Sequence, residues 1–207
     1  MKNELPRKQD EDEDEDNEEA SSDKTDIVLF DNRLNNIDFL GGVNIESLRQ
    51  FKVALKKLEE KSKNRKIKNP KAKKTITICS LGGDSTCGLA IYNLIRSSSL
   101  PIQTIALGFV ASAGLIIFLA GRERLIYEDT ILLLHKSKPV LKESSSSLET
   151  KIALGQLGVI EKKYRSIVLG NSALSARQLN ELERWEKYIT AQEAVKLGLA
   201  HEVIKNR

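Results

Sequence analysis

Three features of the chain could act together on a carbonyl group: Gly82-Gly83, Ser112 and His135. Ser112 lies inside the apolar run LGFVASAGLIIFL, residues 107–119, which turns polar at once with AGRER. A serine hydroxyl attacks a carbonyl readily only when a base takes its proton. His135 closes the apolar segment ILLLH and is one of two histidines, the other being His201. An imidazole at a strand end can reach a neighbouring helix start and serve as that base. Gly82-Gly83 falls between a strand-like and a helix-like segment. Glycine there lets the backbone turn sharply and leaves amide N–H groups uncovered for an anion. The lysine and spacing of a P-loop and the third glycine of a dinucleotide fingerprint are missing. Each feature also has a plain structural reading: a small residue in a close helix–strand contact, a hydrogen-bonded edge histidine, an ordinary glycine turn.

Positioning such groups requires strands that deliver them to helix starts, and the pattern from Thr75 onward supplies these. TITIC is a predicted strand, SLGGDS a turn and TCGLAIYNLIRSSS a helix. LPIQTIALGF is a second strand running into a helix over VASAGLIIFLAG, so Ser112 falls near the junction. RERLIYEDTILLLH gives two more strands, ending at His135. Strands alternating with helices imply an α/β fold with parallel pairing. Upstream, TDIVLFD and NIDFLGG read as short strands. Leu48, Phe51, Leu55 and Leu58 then recur at helical spacing behind a capping Asn44. Downstream, residues 148–170 form a long helix with Ile152, Leu157, Ile160, Tyr164 and Ile167 as its apolar positions. Capping boxes are expected at Ser175–Gln178 and Thr190–Glu193, with Gly198 closing the last helix.

Composition narrows the setting. The 207 residues suit one domain with an aliphatic core, since only 5% are aromatic. The net charge of +4 hides an acidic stretch. Residues 1–24 hold eleven acidic and four basic residues, leaving +11 for the rest. That acidic tail cannot bury apolar surface and is expected to be disordered, with the folded domain spanning 25–207. Residues 61–74, KSKNRKIKNPKAKK, carry eight bases but no interleaved aromatics, which favours a solvated loop over a nucleic-acid surface. The 16-residue run 105–120 is shorter than the roughly 20 residues a membrane span needs. No export signal is visible, so a reducing cytoplasm is expected, and Cys79 and Cys87 form no metal or disulfide pattern.

Taken in order, SLGGDSTCGLAIYNLI, GFVASAG, ILLLHKS and ERWEKYITAQEAVKLGLAHEVI resemble the proteolytic subunit of the Clp protease, the ClpP family. Its members show an SPGG turn, a GxAAS nucleophile segment, an MIHQP base segment and a closing DRFLSAxEAxxYGLVD. The resemblance runs from about Thr75 to Ile204, is weaker over 25–74 and stops before that. It implies a ClpP/crotonase-like spiral of repeated ββα units with a long handle helix. It implies Ser112 as nucleophile, His135 as general base and the amides of Gly83 and Ala113 as oxyanion hole. The family's aspartate, five residues before the alanine of the closing motif, falls on Glu186, so the implied triad is Ser112-His135-Glu186. Leu81 replaces the family's proline, and KSKPVLKESSSS stands where the family has a glycine-rich, substrate-binding strand. The implied activity is an ATP-dependent-type serine endopeptidase cutting polypeptides inside a homo-oligomeric chamber of one or two heptameric rings fed by an AAA+ unfoldase. No cofactor, metal, nucleic acid or membrane is implied. Two relatives of the reading are a non-catalytic ring subunit paired with an active paralogue, and a crotonase-type acyl-CoA enzyme. The second has no need of a Ser-His pair at these positions, and the first usually loses one of the two.

Overall fold

A computed structural model describes residues 28–31, 36–63, 73–136 and 146–206. The expected acidic tail and most of both the basic stretch and the segment after His135 lie outside these residues.

The chain opens with an antiparallel pair, β1 (Val28–Asp31) and β2 (Asn36–Leu40). Helix α1 (Ile45–Lys63) follows, and the Asn44 side chain caps it by accepting from the Ser47 N–H at 2.8 Å. Phe51, Leu55 and Leu58 of the expected stripe are buried in the core, while Leu48 is only partly covered. Then come β3 (Lys74–Ser80), α2 (Ser85–Ser97), β4 (Ile102–Ala111), α3 (Ala113–Leu119), β5 (Glu123–Tyr127) and β6 (Ile131–Leu133). The chain ends with α4 (Ser147–Gly170), α5 (Ala176–Arg184), β7 (Tyr188–Thr190), α6 (Ala191–Lys196) and β8 (Glu202–Ile204). Both expected capping boxes form, and Gly198 turns the chain after α6 with φ 70°. No helix among the described residues is long and apolar enough to cross a membrane.

The strands form one eight-stranded sheet in the order β1-β2-β3-β4-β5-β8, with β6 on β4 and β7 on β6. From β2 to β8 along that path every pairing is parallel, as expected of strand–helix alternation. Helix α3 is hydrophobic all round and buried along its whole length, which marks it as a core helix. This is the mixed α/β spiral expected from the sequence.

One feature of the sheet decides where Ser112 ends up. The first half of β4 pairs with β5, through Gln103–Ala106, and its last residues pair with β6, through Phe109–Ala111. Between the halves the register with β3 slips: Ile78 faces Ala106, but Ser80 faces Val110. Gly108 sits in the slip at φ 65°, a conformation that glycine adopts freely. The strand thereby leaves one neighbour for another and projects its end beside β6, which leads to His135.

Two expectations need adjusting. Val110 and Ala111 belong to β4, not to the following helix, because they continue its ladder with β6. In α4 only Tyr164 and Val168 are buried, whereas Leu148, Ile152, Leu154 and Val159 are exposed. Among the described residues the first half of the helix runs past the core, so Ile152 is left about half exposed.

Candidate active site

Ser112 is the N-cap of α3, yet it makes no side-chain cap bond, so its hydroxyl is not committed to the helix. Its backbone sits at φ 52° and ψ −126°, a region that costs a non-glycine residue about 1–3 kcal/mol and is held only by surrounding structure. The holding contacts are backbone ones. The Ser112 N–H donates to the Leu133 carbonyl at 3.2 Å, tying the turn to β6. The Ser112 carbonyl accepts from the Tyr164 hydroxyl of α4 at 3.1 Å. Tyr164 is buried, and burial pushes its phenol well above the usual range, so it stays a neutral donor.

The glycine turn closes the other side. A Cβ on Gly82 would stand 2.6 Å from the Ser112 Cβ and 3.0 Å from the Ala113 nitrogen. Only a residue without a side chain permits that approach. Gly83, at φ 141°, is pressed on Val43: its carbonyl neighbour Gly82 accepts from Val43 N–H at 2.8 Å and Asp84 N–H donates back at 2.7 Å. This parallel bridge leaves the Gly83 N–H facing away from Val43, without a described backbone partner. Ala113 is the first residue of α3, so its N–H has no carbonyl within the helix either. Gly82 thus packs on the start of α3, where neither the Gly83 nor the Ala113 N–H has a described backbone partner.

His135 lies half-buried two residues past β6, just beyond Leu133, to whose carbonyl the Ser112 N–H donates. Its Nδ1 is 2.9 Å from the carbonyl oxygen of its neighbour Lys136. A carbonyl can only accept, so Nδ1 carries the proton and Nε2 is the basic nitrogen. His135, Lys136, Tyr164, Arg165, Asn180 and Glu183 line one polar cavity of about 290 Å³. Tyr164 links this cavity to the serine turn through its bond to the Ser112 carbonyl.

The closing motif approaches through β7, which runs antiparallel to β6 with Leu133 opposite Tyr188. Two more rungs would set Glu186 opposite His135. The ladder stops first: Glu186 is exposed and at φ 44°, just past Trp185, the C-cap of α5. The buried carboxylate of the region is Glu183, which sequence reasoning did not single out. It forms an ion pair with Arg165 of α4, which also donates to Asn180 Oδ1 at 2.7 Å. Burial pushes the Glu183 carboxyl up, Arg165 and then Lys136 pull it down, and Glu161 pushes it up again. The only sequence signal for it was an acid on the apolar side of a short helix, three residues before the motif position.

His201, the other histidine, belongs to the scaffold. Its Nδ1 accepts from the Arg124 N–H at 3.0 Å, and partial desolvation of its ring, then the charge of Arg124, lower its affinity for a proton although the residue is exposed. The Arg124 guanidinium donates to the carbonyls of Leu199, Gly198, Asn171 and Gly121. Both cysteines are free thiols, and no cluster of metal-ligating side chains occurs among the described residues.

A parallel α/β spiral that carries a serine on a strained strand–helix turn, with a glycine turn packed against it and a histidine just past the neighbouring strand, is the architecture of the ClpP fold class. Similarity to known proteins agrees. A Clp protease family model matches residues 21–207. The chain belongs to the Clp protease family. It is 29% identical over 134 residues to ATP-dependent Clp protease proteolytic subunit 2 of Treponema denticola, covering 64% of this chain and 66% of that protein. It is 28% identical over 132 residues to the proteolytic subunit of Ligilactobacillus salivarius, covering 63% and 66%. The matched stretch therefore spans just under two thirds of the length of these relatives. The solved structure of ClpP1 from Listeria monocytogenes superposes with a TM-score of 0.69 at 22% identity, covering 84% of this chain and 94% of that one. A point mutant of the same protein superposes with a TM-score of 0.72 at the same identity and coverage. That likeness establishes the fold.

Proposed function

We propose that this chain is a serine endopeptidase subunit of the Clp type. Ser112 Oγ attacks the carbonyl of a polypeptide, His135 Nε2 takes its proton and later returns it to the leaving amine. The N–H groups of Gly83 and Ala113 donate to the oxyanion that forms. Glu186 stands, by its place in the closing motif, where the family keeps its orienting acid. The domain is residues 25–207, preceded by the acidic stretch 1–24. The proteolytic subunits that this chain resembles imply assembly into heptameric rings and supply of unfolded chains by an AAA+ ATPase, in the cytoplasm. No metal or organic cofactor enters this chemistry.

The single observation that carries the reading is the left-handed backbone of Ser112, held against Gly82 at a distance no other residue type allows. Strain of this kind is retained where a side chain must be presented, and a serine serving only to fill a close contact would not need it. The runner-up is a ring subunit without activity that pairs with an active paralogue; the exposed Glu186 favours it, and the retained Ser112 and His135 oppose it.

The experiment is labelling with a fluorophosphonate followed by peptide mapping, with Ser112→Ala as control. Modification at Ser112 alone is the expected result. An assembled, folded chain that takes no label sinks the peptidase reading in favour of the silent subunit.

A further inference from the structure

His135 already has an orienting partner, and it is main chain. The Lys136 carbonyl fixes the Nδ1–H tautomer and leaves Nε2 free, which is the task of the third member of a serine–histidine triad. A carbonyl at a strand end keeps its direction only if something holds the residue that bears it. The side chains of Lys136 and His135 share their cavity with Glu183, Arg165 and Asn180. Glu183 is 5% exposed, and a buried carboxylate must be paired. Arg165 pairs with it from α4 and is itself steadied by Asn180 of α5. After Arg165, Lys136 is the strongest positive influence on the Glu183 carboxylate. Glu186, by contrast, is exposed and does not line this cavity.

We propose that Glu183 is the positioning residue for His135: clamped by Arg165, it attracts the Lys136 ammonium and so holds the Lys136 carbonyl on Nδ1. The bridge from α5 to β6 then does through the main chain what a triad carboxylate does by direct contact. The tautomer can be read without any turnover; its catalytic consequence rests on the serine-peptidase reading.

The test is histidine 15N–1H spectroscopy on the full chain, above the pH at which the ring titrates. With two histidines in the sequence, His201→Gln assigns the signals. The native chain should show the Nδ1–H tautomer at His135. Glu183→Gln and Lys136→Met should each give a mixture of both tautomers. Each should slow fluorophosphonate labelling of Ser112 about tenfold, and lower kcat for a short peptide with KM kept within about twofold. The double variant should lose no more than Glu183→Gln alone, because both act through one contact. Glu183→Gln leaves Arg165 without its partner and can cost the fold; Lys136 is exposed, so Lys136→Met keeps the test alive. The proposal falls if the Nδ1–H tautomer persists in both variants, or if tautomer and rate respond to Glu186→Gln instead. Should native Ser112 take no label while the tautomer responds as described, the peptidase reading fails and the positioning role stands.

Discussion

Around Ser112 the chain is packed backbone against backbone, and around His135 it is packed charge against charge. The serine turn is held by the carbonyl of Leu133, the hydroxyl of Tyr164 and the bare Cα of Gly82. Gly114 continues the same style, meeting Ser80 at a distance that leaves no room for a side chain, and Gly88 lies almost as tightly against Ala113. On the histidine side stand Lys136, Arg165, Glu161 and Glu183 around a polar cavity. Close-packed backbone has one arrangement, whereas charged side chains can exchange partners with pH and with bound groups. The proposed nucleophile is thus fixed by shape and the proposed base by electrostatics. Mutations on the two sides should fail in different ways: the first through fold and strain, the second through rate.

The largest effect is expected at the proposed base. His135→Ala should lower labelling of Ser112 by about a thousandfold or more while circular dichroism and assembly stay as in the native chain. Undiminished turnover would remove His135 as the base. Next comes Gly82→Ala, where the new methyl lands on Ser112 Cβ and φ 94° is itself unfavourable to alanine. A loss of about 2 kcal/mol in stability together with nearly complete loss of labelling is the expected result, measured by urea unfolding and mass mapping. A variant as stable and as reactive as the native chain would break the contrast between the two sides. Tyr164→Phe removes one buried hydrogen bond to the Ser112 carbonyl. It should cost about 1 kcal/mol and slow labelling several-fold, and a rate change with no stability change would move Tyr164 to the electrostatic side.

The smallest effect concerns the scaffold. The proton affinity of His201 is lowered in the fold, so the unfolded chain binds the proton more readily. Its contribution to stability is present above the unfolded value, near pH 6.5, and is lost as pH falls through the lower folded value. His201→Gln should flatten the urea midpoint across that window. An equally steep midpoint in the variant would assign the acid sensitivity to other groups.

Much of this architecture could be read from the chain before any coordinates. Periodic apolar residues gave the helices, capping residues gave their starts, and the alternation of strand and helix gave parallel pairing. Ser112, His135 and the glycine turn stood out because few residue types can do what those positions require. Two things were not legible. The change of partner along β4 depends on a two-residue slip in pairing at Gly108, and a lone glycine in a strand does not announce which neighbours it separates. Glu183 escaped notice because its burial comes from α4, a helix some twenty residues earlier in sequence, and Glu186 held the motif position. Linear spacing located the motif but not the direction in which each carboxylate faces. Half of α4 also misled, since apolar periodicity predicts a covered stripe, yet Ile152 and its neighbours are open in the single chain.

The left-handed backbone of Ser112 has a consequence for anyone improving this protein by selection. Glycine is the residue that adopts φ 52° without strain, so Ser112→Gly is the exchange that most relaxes the turn. It also deletes the hydroxyl. On the proposed mechanism, a library screened for heat tolerance alone would therefore enrich chains that fold better and lack the nucleophile. Position 112 has to be held constant, or read out with a chemical probe, in any such campaign.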